Sequence, residues 1–171
     1  MNTIKLFEQF SGLVDKERLS ESIVKMLNEQ IKIELESSQL YRAMSCWLDK
    51  EGWIGASKYF FNAAKEEITH MEKIYEYLFE KNCTAKTPAC DMMKESYDDI
   101  KNILDESLEH EIKITKSWNS IADKALEEKD NDTYALAQWF LKEQIEEESK
   151  IRDIIFKARL DMPDWKIEEL F

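Results

Sequence analysis

Lys65-Glu66-Glu67-Ile68-Thr69-His70, followed by Lys73-Ile74, decides how this chain is read, because the chain nearly repeats it. The echo is Lys142-Glu143-Gln144-Ile145 with Lys150-Ile151, an offset of 77 residues that also carries Glu34 onto Glu111. Each half is therefore a lone Glu followed 33 residues later by a polar pair at i, i+3: Glu67/His70 in the first half, Gln144/Glu147 in the second. A Glu from each of two helices and a Glu-x-x-His pair from each of two others is how a four-helix bundle holds two metal ions. Here the second pair is altered to Gln-x-x-Glu.

Composition supports a bundle. Only 3 Gly and 2 Pro occur in 171 residues, amid abundant Leu, Ile, Glu, Lys and Ala, which reads as nearly all helix. The length suits one domain over 1–171 with a sizeable core. A net charge of −12 argues against nucleic acid, whose phosphates need clustered Lys and Arg, and fits divalent cations better. No apolar run follows a basic N-terminus and no stretch is apolar enough to span a bilayer, so neither secretion nor a membrane is expected. Three cysteines (Cys46, Cys83, Cys90), odd in number and without zinc spacing, fit a reducing cytoplasm.

Four long helices are predicted. The first runs from an N-cap at Ser20 to Leu48, and the second from about Gly55 to Lys81, after a turn at Asp49-Lys50-Glu51-Gly52. The third spans roughly Ser96 to Glu128, and the fourth begins near Asn131-Asp132 and ends near Leu160, before Pro163. Short first and third connections make antiparallel hairpins. The long middle segment, Asn82 to about Glu95, is a crossover, which gives the ferritin-like topology of an all-α bundle. Residues 1–19 form an amphipathic preface (Ile4, Leu6, Phe7, Phe10, Leu13, Val14), 20–160 the bundle, and 161–171 a short C-terminal segment with a short helix.

At alternating spacings of three and four, each helix shows one inner stripe. The stripes read Leu27, Ile31, Glu34, Ser38, Tyr41; Phe60, Glu67, His70, Ile74; Leu104, Ser107, Glu111, Ile114, Trp118; and Phe140, Gln144, Glu147, Ile151. Four carboxylates, one imidazole and one amide thus fall in a single layer. Burying unpaired carboxylates costs several kcal/mol. Lys and Arg are absent from the stripes, so bound cations are the natural compensation. Oxygen donors with one imidazole favour Fe(II), Mn(II) or Zn(II) over Cu(I) or an iron–sulfur cluster. Glu67 reads as the bridge: Glu34, Glu67 and His70 take one ion, and Glu67, Glu111 and Glu147 the other. Gln144 is a weak donor beside them. Such a lopsided site favours iron that passes through as substrate over iron kept as cofactor. The alternative is a di-iron or di-manganese oxidase or peroxidase with fixed metals, which calls for a second Glu-x-x-His.

These residues resemble the ferritins, and most closely the bacterial non-haem ferritins. The resemblance lies in Leu27-Asn28-Glu29-Gln30 through Glu34 to Ser37-Ser38 and Tyr41, and in Glu66-Glu67-Ile68-Thr69-His70-Met71. It continues through His110-Glu111, Gln138-Trp139-Phe140, and Glu143-Gln144 to Glu146-Glu147-Glu148, covering about residues 23 to 160. It implies a homo-oligomeric shell of 24 subunits that oxidises Fe(II) with O2 or H2O2 at a dinuclear ferroxidase centre and stores ferric mineral. It also implies a third iron site at Glu66, Glu143 and Glu146, with Tyr41 beside the dinuclear centre and Trp139 close to it. Haem is not expected, because Ile68 stands where bacterioferritins carry a ligating Met. The acidic pair that lines the three-fold channels of animal ferritins falls at Tyr134 and Ala137, with Asp130 and Asp132 near by. The C-terminal segment is shorter than the usual fifth helix.

Overall fold

A computed structural model describes residues 17–159 and 163–171. The chain forms four long helices, α1 (Glu21–Lys50), α2 (Ile54–Glu80), α3 (Ile100–Glu128) and α4 (Asn131–Ala158). A four-residue α5 (Asp164–Ile167) and a 3-10 turn (Glu168–Leu170) follow, and no strand occurs among the described residues. The all-α four-helix bundle read from the sequence is therefore observed, short C-terminal helix included. The amphipathic preface falls mostly outside the described residues.

Local chemistry explains the boundaries. Ser20 accepts the Ile23 N–H at 3.2 Å and caps α1. Gly52 turns the chain into α2 at φ +88°, a left-handed conformation that glycine adopts without strain. Lys129 ends α3 in the left-handed region, and Asp130 at once caps α4 by accepting the Thr133 N–H at 3.1 Å. α3 starts at Ile100, four residues later than expected from Ser96, because the Asp99 carboxylate accepts the Asn102 N–H at 2.7 Å and fixes the first turn there.

The pairs α1–α2 and α3–α4 are the two hairpins. The crossover between them is tied to α1 through buried Asn28. Its Oδ1 accepts the Lys86 N–H at 2.6 Å and its Nδ2 donates to the Thr84 carbonyl at 3.0 Å. Two apolar clusters fill the bundle. One gathers Met44, Leu48, Phe60, Ile103, Leu104 and Ile154; the other gathers Ile23, Leu27, Ile74, Leu78, Trp118 and Phe140. The polar layer of the four inner stripes lies between them on each helix, so packing on both sides holds it in place. Among the described residues no helix is long and apolar enough to cross a membrane.

The C-terminal tail turns back onto the bundle. Ile167 is fully buried, and the Phe171 ring lies 5.4 Å from that of Tyr59 and 6.4 Å from that of Phe60. The Glu168 carboxylate accepts the Gly55 and Ala56 N–H groups at the start of α2, a helix whose own N-cap, Trp53, supplies no side-chain acceptor.

Candidate metal centre

Glu34 on α1, Glu67 and His70 on α2, Glu111 on α3, and Gln144 and Glu147 on α4 meet in the middle layer. Three or four residues separate same-face positions on a helix, so one turn of α2 delivers both Glu67 and His70. Two sets of donors converge: Glu34/Glu67/His70 and Glu67/Glu111/Glu147, each with one atom per residue within 4.8 Å of the others. Glu67 belongs to both. Glu34, Glu67, His70, Glu111 and Gln144 are buried, whereas the Glu147 side chain keeps 15 % of its surface exposed and stands at the rim of the layer.

Among the described residues, the His70 ring is the only basic group within 4 Å of these carboxylates. Burial pushes the Glu34 carboxyl well above the usual range, and the neighbouring Glu67 charge adds to the effect. Burial and then the charges of Glu111 and Glu147 do the same to Glu67. Burial, with Glu111 next, lifts Glu147 to about 8. Burial also raises Glu111, against the lowering effect of its hydrogen bonds from Tyr41 and Gln144. The oxygens Oε2 of Glu67 and Oε2 of Glu147 are buried with no hydrogen-bond partner among the described residues. Buried polar atoms are almost always paired, so orphaned carboxylate oxygens in two donor clusters make this layer one that could hold cations.

The surroundings orient the donors. The Tyr41 hydroxyl and Gln144 Nε2, the latter at 2.6 Å, donate to the two oxygens of Glu111. Gln144 thus acts on a carboxylate, as its weak donor chemistry suggests. Burial holds the Tyr41 phenol well above its ordinary range, so it keeps the proton it donates. His70 sits edge-on to Trp139 at 6.0 Å and to Phe140 at 5.7 Å. Its Nδ1 lies 3.6 Å from Glu67 Oε2 and its Nε2 3.9 Å from Glu147 Oε1, too far for hydrogen bonds. Trp139 is 38 % exposed, with the Lys73 ammonium 4.2 Å above its ring.

A cavity of about 380 Å³ reaches Glu67, Glu111 and Glu147 and is walled by Tyr41, Tyr59 and Phe171. Glu66 lines it, but Glu66, Glu143 and Glu146 do not converge at ligand spacing among the described residues. His110 stands apart, 2.7 Å from the Ser37 hydroxyl, and burial lowers it to about 4. Asp130 is taken up in capping α4 and Asp132 in an ion pair with Lys81, while Ala137 is buried. The cysteines are free thiols. Two polar partners of the centre were not anticipated from sequence: Gln30 and Trp118 both hydrogen-bond to Glu34. The signal for Gln30 was its place one turn before Glu34; Trp118 reads as a plain apolar stripe residue.

Comparison with known proteins gives one consistent result. The family model described as "Ferritin-like domain" matches residues 24–160. A "Probable bacterial non-heme ferritin-like protein" of Haemophilus influenzae is 38 % identical over 148 residues, covering 86 % of this chain and 90 % of that protein. The "Bacterial non-heme ferritin" of Campylobacter jejuni is 34 % identical over 142 residues, covering 83 % of this chain and 85 % of its own. Among solved structures, an open pore ferritin of the archaeon Archaeoglobus fulgidus superimposes with a TM-score of 0.85 at 31 % identity. The match spans 91 % of this chain and 98 % of that one.

Proposed function

The chain belongs to the ferritin family, and from that premise we propose that it is an iron-storage ferroxidase of the non-haem bacterial type. Fe(II) is its substrate. Glu34, Glu67 and His70 bind one ion; Glu67, Glu111 and Glu147 bind the other. The pair of ions together surrenders two electrons to an oxidant that needs two, O2 going to H2O2 or H2O2 going to water, with two protons taken up in either case. The observation that carries this reading is the buried donor layer with Glu67 shared between two clusters and with Oε2 of Glu67 and Glu147 orphaned. Two cations there would satisfy both oxygens and offset four clustered carboxylates.

In this reading Tyr41 and Gln144 hold Glu111 with both oxygens engaged, while Glu147 at the rim is the ligand freest to move. Ferric ion leaves by the cavity that Glu66 lines, towards the mineral. The shell is assembled from 24 copies. Phe79, Ile145 and Phe156 are 64 %, 70 % and 67 % exposed on the lone chain, the kind of apolar surface that contacts between copies cover.

The test is aerobic addition of Fe(II) to the metal-free protein in increasing excess, following oxidation by absorbance and counting iron that stays soluble with protein. Fast oxidation with iron retained far beyond the two sites per chain supports the proposal. Saturation at two irons per chain, with the excess precipitating, means a fixed dinuclear oxidase.

A further inference from the structure

The two metal positions share Glu67 but differ in what supports their private ligands. Glu34 Oε1 accepts two hydrogen bonds, from Gln30 Nε2 at 2.8 Å and from the Trp118 indole N–H at 3.2 Å. Gln30 is itself fixed by the Ser117 hydroxyl, which donates to its Oε1 at 2.5 Å. The Trp118 ring lies flat on Phe140, with centroids 3.8 Å apart and planes 9° from parallel, and Phe140 meets the edge of His70. Trp118, Gln30 and Phe140 are each fully buried. One packed unit from α1, α3 and α4 thus touches Glu34 and His70, the two ligands that belong to the first position alone. Glu111, by contrast, is held by Tyr41 and Gln144.

We propose that Trp118 and Gln30 are positioning residues which lock Glu34 as a one-oxygen donor and thereby set the affinity of the first metal position independently of the second. With two N–H donors on Oε1, that oxygen is committed, and the other is left to meet Glu67 and the ion. Without them the carboxylate is free to rotate in its pocket, and ordering it becomes part of the cost of binding. Groups that orient metal ligands in this way commonly contribute roughly 10–100-fold to affinity or activity. The inference rests on the reading that Glu34, Glu67 and His70 hold a metal ion.

The experiment is anaerobic Co(II) titration of the assembled metal-free protein, followed by visible absorption and calorimetry. Glu147→Gln, which weakens a donor only at the second position, identifies which step is which. Trp118→Phe keeps the ring on Phe140 and removes the N–H; Gln30→Met keeps the volume and removes the amide. Each is expected to weaken binding at the first position by about 10-fold or more and leave the second position unchanged. Equal weakening of both steps, or no change in either variant, overturns the inference while the metal centre stands. Failure of the unaltered chain to bind Co(II) at two steps overturns the metal centre and the inference with it.

Discussion

Replacing Glu147 by Gln should make the metal-free protein more stable while crippling the second metal position. Burial and the charge of Glu111 raise the Glu147 carboxyl from the ordinary 4.5 to about 8 in the folded chain. Because the folded value is the higher, the unfavourable contribution is absent below about pH 4.5 and grows as pH rises towards 8. At pH 7 the folded state still holds a proton that the unfolded chain has released, a cost of about 3 kcal/mol. Glutamine has nearly the same shape and no charge to bury. Glu147→Gln should therefore raise the unfolding midpoint at pH 7 by about 10 °C, at roughly 2–4 °C per kcal/mol for a chain of this length. At pH 4.5 the two proteins should melt together. Saturating Zn(II) should shrink or reverse the order at pH 7, since the unaltered chain gains binding free energy that the variant lacks. The assay is calorimetric melting of metal-free and Zn(II)-loaded samples at matched concentration at both pH values. An unchanged midpoint at pH 7, or an equal gain at pH 4.5, would refute the idea that Glu147 is a strained carboxyl held in place for a cation.

Three further outcomes follow from the same geometry. Glu67→Ala removes the donor common to both clusters and should abolish fast Fe(II) oxidation with helical circular dichroism intact; unchanged oxidation kinetics would sink the dinuclear assignment. Anaerobic metal binding at pH 7 should release protons into a weakly buffered solution, because the raised Glu34, Glu67 and Glu147 carboxyls must ionise to ligate, and the release attributable to Glu147 should fade above about pH 8. Glu168→Ala removes the acceptor for the first N–H groups of α2 and should cost about 1 kcal/mol in thermal unfolding with Co(II) stoichiometry unchanged. No loss of stability would mean that the tail does not cap that helix.

Much of the protein is legible in its sequence, for reasons that are local. A helix repeats every 3.6 residues, so same-face positions can be read along one strand of sequence, and Glu34, Glu67, His70, Glu111 and Gln144 declared themselves as polar interruptions of apolar stripes. The Ser20 cap is equally local and falls where expected, whereas the fourth helix is capped by Asp130 and not by the expected Asn131-Asp132. Glu147 shared that periodicity, yet it sits at the rim with part of its surface in solvent, because exposure depends on how far a neighbouring helix overlaps it. The start of α3 shifted from Ser96 to Ile100 because Asp99 competes as the cap.

What only the tertiary structure decided is whatever joins residues far apart in the chain. Trp118 looks apolar in its own helix and becomes a hydrogen-bond donor to Glu34 only once α1 and α3 pack. Glu168 is an unremarkable acid near the end of the chain until the tail folds onto Gly55, more than a hundred residues away, where its carboxylate meets unpaired N–H groups. The sequence by itself determined the bundle and the donor types of its polar layer, since periodicity and side-chain chemistry are carried by single helices. Which oxygens are orphaned, which are held, and by whom depends on distances between helices, and those exist only after the chain has folded.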